Sequence, residues 1–368
     1  MTLPGGRRKS FYAKTRQEVQ RKLAQAQRDV QSGLPIVDER QMLGQFLLSW
    51  LSSARHKLKP SSYRRYRLDL HRYILPALGD VSLAKLTAQQ VQALYTQKLD
   101  AGLSASTVLN IHTVLHSALK EAVRLGLIQR NVSDLVQKPR RRRTKQATFN
   151  EEQARTFLDA AKGDRLEALY VLAISTGMRE GELLGLTWRD VDLERGIVHV
   201  TRSLQESDGP TRRVLDEPKT AHSRRRIALS RVAVSALYRH KTRQDAERLA
   251  CGSAWDASLN LVFPNTIGGP FHPWHLRERE YYPLLRKVGL PIIRFHDLRH
   301  TCATLLLRRG VNPKIVSEML GHANISITLD TYSHVTPDMQ QAAAQAMDDV
   351  LLDGGGGDDA ETDDEGDV

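Results

Sequence analysis

Four consecutive arginines, Arg140 to Arg143, lie inside the segment QKPRRRRTKQA, residues 137–147. A packed interior cannot take such a run, because each unpaired charge would carry a large desolvation cost. The chain must therefore fold on either side of it, and 368 residues exceed what one typical core holds. Residues 139–148 read as a solvated basic linker that would also lie well along a phosphate backbone.

Upstream, residues 40–138 carry four amphipathic patterns. RQMLGQFLLSWLSSAR places Leu43, Phe46, Leu47, Trp50 and Leu51 near the helical period. SSYRRYRLDLHRYI interleaves Tyr63, Tyr66 and Tyr73 with basic residues. Thr87 and Gln90 have capping-box spacing at the third helix, and the fourth runs from Ser104 to Leu125 with Gly126 as its stop. Four short-looped helices imply a compact helical domain. Before it, GGRRKSFYAKT and the helix-forming RQEVQRKLAQAQRDVQ make residues 1–36 a small accessory module with fewer elements than a full domain.

Downstream, residues 149–352 open with Asn150 and Gln153 in another capping-box pattern, followed by helices over Glu151–Ala161 and Leu166–Ser175. The period then changes: GIVHVTRSL alternates as a strand, and RRVLDEPKTAHSRRRIALS reads as a hairpin turning near Thr220 to Ser223. Helical patterns resume at Val232, Pro273, Phe295, Pro313, Ile325 and Pro337, and Asn312-Pro313 and Thr336-Pro337 both read as caps. The fold class is thus mainly α with a small antiparallel β-sheet. Residues 353–368, Gly-rich and acidic, have nothing to bury and read as a disordered tail.

The formal charge is +12, yet the last 21 residues hold ten acidic groups and no basic ones, leaving +22 on the first 347. So large a surplus points to a polyanionic partner, nucleic acid ahead of membrane, since neither an apolar span nor a basic amphipathic anchor occurs. Two cysteines, Cys251 and Cys302, cannot build a disulfide framework. With no secretory signal, a reducing cytoplasmic setting is expected.

Candidate chemistry falls in four blocks. STGMREGELLGL sets Arg179 after a helix-breaking Gly177; DEPKTAHSRRR puts Lys219 at the hairpin tip; RFHDLRHT spaces His296 and Arg299 three apart; LGHANISITLDTYSH carries His322 and Tyr332. Singly, each has an ordinary explanation as a surface, turn or core residue. In this order and wording they resemble the tyrosine recombinase or phage integrase family, that is, lambda-integrase-like site-specific recombinases. TGMREGELLGLTW resembles the family's first arginine box, FHDLRHT and LGHANISITLDTYSH its second, and the PK…SRRRIAL hairpin its lysine hairpin. The resemblance covers roughly residues 40–351, with a weaker match of the N-terminal residues to the arm-site DNA-binding module.

The resemblance implies a helical core-DNA-binding domain and an α+β catalytic domain that clamp opposite faces of duplex DNA. It implies that Tyr332 attacks a scissile phosphate to leave a 3′-phosphotyrosyl bond and a free 5′-hydroxyl. Arg179 and Arg299 would hold the non-bridging oxygens, His296 would accept or orient, His322 would donate to the phosphate, and Lys219 would protonate the departing 5′-oxygen. Two guanidinium forks can supply the charge stabilisation that a metal gives elsewhere, so no cofactor or metal is expected. Glu182 has two readings: it orients Arg179, or it is a first-turn carboxylate favoured by the helix dipole. His300 is expected to pack rather than react.

The partners expected are double-stranded attachment sites, a homotetramer on two sites with residues 337–351 docking onto a neighbour, and DNA-bending or directionality factors. Tyr63, Arg64, Arg65, Arg67, Arg141 and Arg142 are the candidate DNA contacts. Integration or excision of a phage or mobile element is the expected outcome. Three alternatives compete. A zinc helix through His296 and His300 lacks the usual glutamate and places Arg299 between its ligands. A DNA-binding regulator would leave the catalytic set without a purpose, and a type IB topoisomerase would share the nicking chemistry without strand exchange.

Overall fold

The computed structural model describes residues 10, 12, 14–31, 40–141, 147–206, 213–216, 224–322, 324–332, 344, 345 and 347–351. Lys219 and the expected turn at 220–223, Arg142, the cap at Thr336-Pro337 and the acidic tail lie outside the described residues. The chain divides into two compact units, residues up to 144 and the bulk of the chain from 145 onward. Among the described residues no helix is long and apolar enough to cross a membrane.

The first unit contains the helix Arg16–Gln31 and a bundle built from Leu43–Ala54, Pro60–Leu78, Ala88–Asp100 and Ala105–Arg124. Its core takes Leu43, Leu47, Leu70, Ile74, Val91, Tyr95, Ile111 and Leu115 out of water altogether. Each such side chain contributes about 2 kcal/mol of transfer free energy. Thr87 and Gln90 close the expected capping box, and Ser104 accepts from the Thr107 N–H. Helix Ala105–Arg124 gives way to Gly126 at φ +70°, the left-handed turn that glycine adopts without strain.

Two helices contain wide turns that the amphipathic patterns do not announce. Leu70–Ile74 and Leu276–Tyr281 are π turns, and each ends with a backbone bond five residues long, from Leu75 N–H to Leu70 O and from Tyr282 N–H to Arg277 O. In both, a proline follows that bond at once, Pro76 and Pro283. Proline offers no N–H and crowds the carbonyl four residues back, and widening the preceding turn accommodates it without breaking the helix.

In the second unit, helix Glu151–Ala160 starts at the Asn150–Gln153 capping box. Helix Glu167–Thr176, sequence EALYVLAIST, is buried on nearly every face and packs against both Arg231–Cys251 and Asp297–Arg308. An apolar helix without a polar stripe belongs at a centre. Short helices Pro313–Leu320 and Ile325–Tyr332 follow, the former capped by Asn312 ahead of Pro313.

The strands depart from expectation. GIVHVTRSL is broken into β2 (Ile197–Val200) and β3 (Ser203–Glu206), with the Thr201 hydroxyl turned to Asp190 Oδ1. β4 (Arg213–Asp216) pairs with β3, whereas β5 (Arg225–Ala228) joins β2 and β1 (Val191–Asp192) in an antiparallel sheet of order β1-β2-β5. The expected β4–β5 hairpin is therefore replaced by two separate pairings. β5 is drawn away because its one buried aliphatic, Ile227, registers opposite the buried Val198 on the core face.

Candidate active site

Gly177 ends the central helix at φ +62°, and a Cβ added there would come within 2.4 Å of Leu320 Cδ2. The left-handed backbone favours glycine, and a Cβ would also displace the Leu320 side chain. The chain then turns so that Arg179 caps the helix Glu180–Leu184. Its backbone N–H donates to Glu182 Oε2 at 2.9 Å and its Nη1 to Glu182 Oε1 at 2.7 Å. The two readings of Glu182 are thus not exclusive: it is a first-turn carboxylate and it holds the arginine.

His296 stands immediately before the helix Asp297–Arg308 and makes no side-chain cap bond to it. The Arg294 backbone and guanidinium bind both oxygens of Asp297, fixing the helix start. One turn in, Arg299 is 3% exposed and donates from Nη1 to the Gly177 carbonyl at 2.8 Å. The His300 ring stands edge-on to His296, centroids 5.2 Å apart. Among the described residues no group of three or more His, Cys, Asp or Glu side chains is placed to hold a metal ion.

The third strand of the site is the turn after helix Pro313–Leu320. The carbonyl of Gly321, a residue at φ +68°, accepts from Arg179 Nη2 at 3.2 Å, and His322 follows, its Nδ1 2.8 Å from the Thr328 hydroxyl. A residue that the sequence reading passed over completes the frame. Arg225 on β5 donates Nη2 to Glu182 Oε2 at 2.8 Å, Nη1 to Glu182 Oε1 at 3.2 Å and Nε to the Met319 carbonyl at 2.6 Å.

The electrostatics follow from this convergence. Burial works to raise the Glu182 carboxyl, but the bonds and charge from Arg225, with Arg179 behind them, outweigh it and keep the group ionised. Burial, then the charges of Arg299 and Arg179 with His300 and Arg225, pushes His322 down to about 4. His300 is pushed down to about 4 by burial and by His296. His296 reaches solvent at its edge, yet partial burial and the Arg299 charge hold it below the ordinary imidazole value. At neutral pH the three rings are therefore uncharged. Three guanidiniums against one carboxylate leave a surplus of two positive charges, which suits a reacting phosphodiester whose transition state is doubly negative.

Arg179, Glu182, His296, Arg299 and His322 are thus gathered from distant blocks. Tyr332 is the last residue of helix Ile325–Tyr332, which His322 joins through Thr328; only its place in the backbone is described. In the first unit, Tyr63 and Arg64 are half-buried, with Tyr63 against the core, while Arg65 and Arg67 are exposed. Arg65 donates to Asn110 Oδ1 at 3.2 Å and lies over the Tyr66 ring. Arg141 is exposed.

Residues 147–339 match the phage integrase family, and residues 42–99 match the phage integrase N-terminal SAM-like domain. A "tyrosine recombinase XerC-like" protein of Caldanaerobacter subterraneus subsp. tengcongensis is 31% identical over 94% of this chain and 92% of its own. The Tn1549 transposon integrase, solved in complex with transposon right end DNA, is 25% identical with a TM-score of 0.68, covering 85% of this chain and 100% of that one. A lambda integrase tetramer bound to a Holliday junction aligns at 19% identity and a TM-score of 0.59, over 87% of this chain and 88% of that one.

Proposed function

The chain belongs to the phage integrase family of tyrosine site-specific recombinases, and from that premise we propose that Tyr332 is the nucleophile and Arg179, Arg299 and His322 bind the phosphate it attacks. The observation that carries this reading is the Arg179 Nη2 bond to the Gly321 carbonyl. It ties the first arginine box to the turn that launches the helix ending in Tyr332.

The phenolic oxygen of Tyr332 forms a bond to phosphorus as the bond from phosphorus to the 5′-oxygen breaks. A phenol with a pKa of about 10 is largely protonated at neutral pH, so its proton needs an acceptor. Neutral His296 is the residue for that task. Lys219 returns a proton to the departing 5′-oxygen, which leaves as a hydroxyl. Arg179 and Arg299 present forks to the non-bridging oxygens, where negative charge accumulates. Nδ1 of His322 is paired with the Thr328 hydroxyl, and the proposed role takes the tautomer with its proton on Nε2, which donates to the same oxygens. The phosphodiester energy stays in the phosphotyrosyl bond, so a 5′-hydroxyl from another strand reverses the step without a nucleotide cofactor.

The substrate is duplex DNA at attachment sites of a mobile element, and the working form is an oligomer, a tetramer when two sites are joined. The likeness to DNA-bound transposon and lambda integrases supports both statements. DNA-bending and directionality factors would act around that assembly. The helical domain at residues 40–138 and the catalytic domain at 149–352, joined by the basic linker 139–148, would both engage the duplex, the former through Tyr63, Arg64, Arg65 and Arg67 and the linker through Arg141 and Arg142.

Arg179→Ala and Arg299→Ala test the phosphate-binding role in single-turnover cleavage of a nicked duplex. Each should slow cleavage by about 10²- to 10³-fold, the scale for removing one preorganised charge donor, with far smaller change in affinity for the duplex. Cleavage and affinity falling together, or neither falling, would refute the assignment. Strand exchange between two marked duplexes separates recombination from simple relaxation.

A further inference from the structure

Glu182 is a single buried carboxylate shared by two arginines with different surroundings. Arg179 is 37% exposed, whereas the Arg225 side chain is 6% exposed and faces Glu182, itself 4% exposed. Burial alone does not set Arg225 apart from Arg299, itself 3% exposed; its partners do. Two of the bonds Arg225 makes go to Glu182 and one to the Met319 carbonyl.

Those bonds have a common consequence. Met319, in the last turn of helix Pro313–Leu320, and Gly321, in the turn that follows it, each accept from one arginine of the pair, Met319 from Arg225 and Gly321 from Arg179. Glu182 fixes the two guanidiniums to each other, so the turn hangs from two donors that share one anchor. Gly321 fits closely into this frame, since a Cβ there would lie 3.1 Å from both Cδ and Nη1 of Arg225. Arg225 also stands six residues after Lys219 in the chain, on the first residue of β5. The strand that follows the lysine segment is thereby joined to the segment that leads to Tyr332.

From this geometry we infer that Arg225 is a positioning residue for strand cleavage: through Glu182 it sets Arg179, and through Met319 it sets the turn that carries His322 and the Tyr332 helix. The inference rests on the proposed role of Tyr332. Lysine cannot replace the arginine, because one ammonium cannot span two carboxylate oxygens and a carbonyl in a plane as a guanidinium does. A displacement near 1 Å at a reacting centre costs on the order of 10²-fold in rate.

The test uses the full-length protein, a nicked duplex that traps the covalent product, and the variants Arg225→Lys, Arg225→Gln and Glu182→Gln. Cleavage is measured in single turnovers at saturating DNA, with affinity and thermal midpoint measured on the same preparations. Arg225→Lys, which keeps the charge and is the variant best able to fold, should bind duplex as the parent does and cleave at least about tenfold more slowly, with Arg225→Gln slower still. Because both residues act through one frame, Arg225→Lys combined with Glu182→Gln should be little slower than the slower single variant. A lysine variant that cleaves at the parental rate would overturn the inference. So would a parallel loss of binding and cleavage, or fully additive effects in the double variant. If the parent itself forms no covalent product, the Tyr332 reading fails instead, which separates the two outcomes.

Discussion

His322 faces fixed positive charge from Arg299 on helix Asp297–Arg308, from Arg179 at its turn and from Arg225 on β5, with His300 adding to it only when protonated. Its folded value of about 4 lies below the ordinary 6.5, so between those values the unfolded chain takes up a proton that the folded chain refuses. Stability from this group is complete above pH 6.5 and is lost as pH falls toward 4. His300 acts in the same direction, and so does His112 in the first unit, where burial dominates and its Nδ1 meets the Tyr95 hydroxyl. The thermal midpoint should therefore be lower at pH 5 than at pH 7, and His322→Gln should reduce that drop without removing it. An unchanged drop in the variant would mean that His322 is not held neutral. The residues of this site were readable because their blocks have distinctive wording. Arg225 was not: within Arg224-Arg225-Arg226 nothing in the sequence tells which faces inward until β5 is registered against β2, with Val200 opposite Arg225 and His199 opposite Arg226.

Helix starts were legible where side chains satisfy backbone donors at fixed spacing, as at Thr87 with Gln90, Asn150 with Gln153, and Asn312 before Pro313. The π turns were not, because they depend on how a proline inside a helix is accommodated rather than on amphipathic spacing. Strand pairing was misread for a related reason: alternation identifies a strand but not its partner, which is settled by where Ile227 finds a buried neighbour. The helix Pro60–Asp69 gives a prediction at this scale. Arg67 is exposed, whereas Arg65 is engaged with Asn110 and Tyr66. Arg67→Ala should weaken binding to all duplexes alike and reduce the slope of log affinity against log salt by about one. Loss confined to one DNA sequence would instead make Arg67 a base reader.

Across the whole molecule, the two-unit division follows from a charged run that cannot be buried, flanked by two regions of regular apolar spacing. What the spacing could not supply is the joining of segments more than 120 residues apart, through Arg179 to the Gly321 carbonyl and Arg299 to the Gly177 carbonyl. The second of these bonds ends on Gly177, the cap of the central helix Glu167–Thr176. The central claim is that this joined frame lets one phenol hold DNA by a covalent bond. Incubation with a nicked duplex carrying an attachment site, followed by protease digestion and mass spectrometry of the DNA-linked peptide, tests it most directly. A single adduct is expected at Tyr332, attached to a 3′-phosphate and abolished in Tyr332→Phe while duplex binding persists; an adduct on another residue, or one undiminished in that variant, would contradict the role of this phenol.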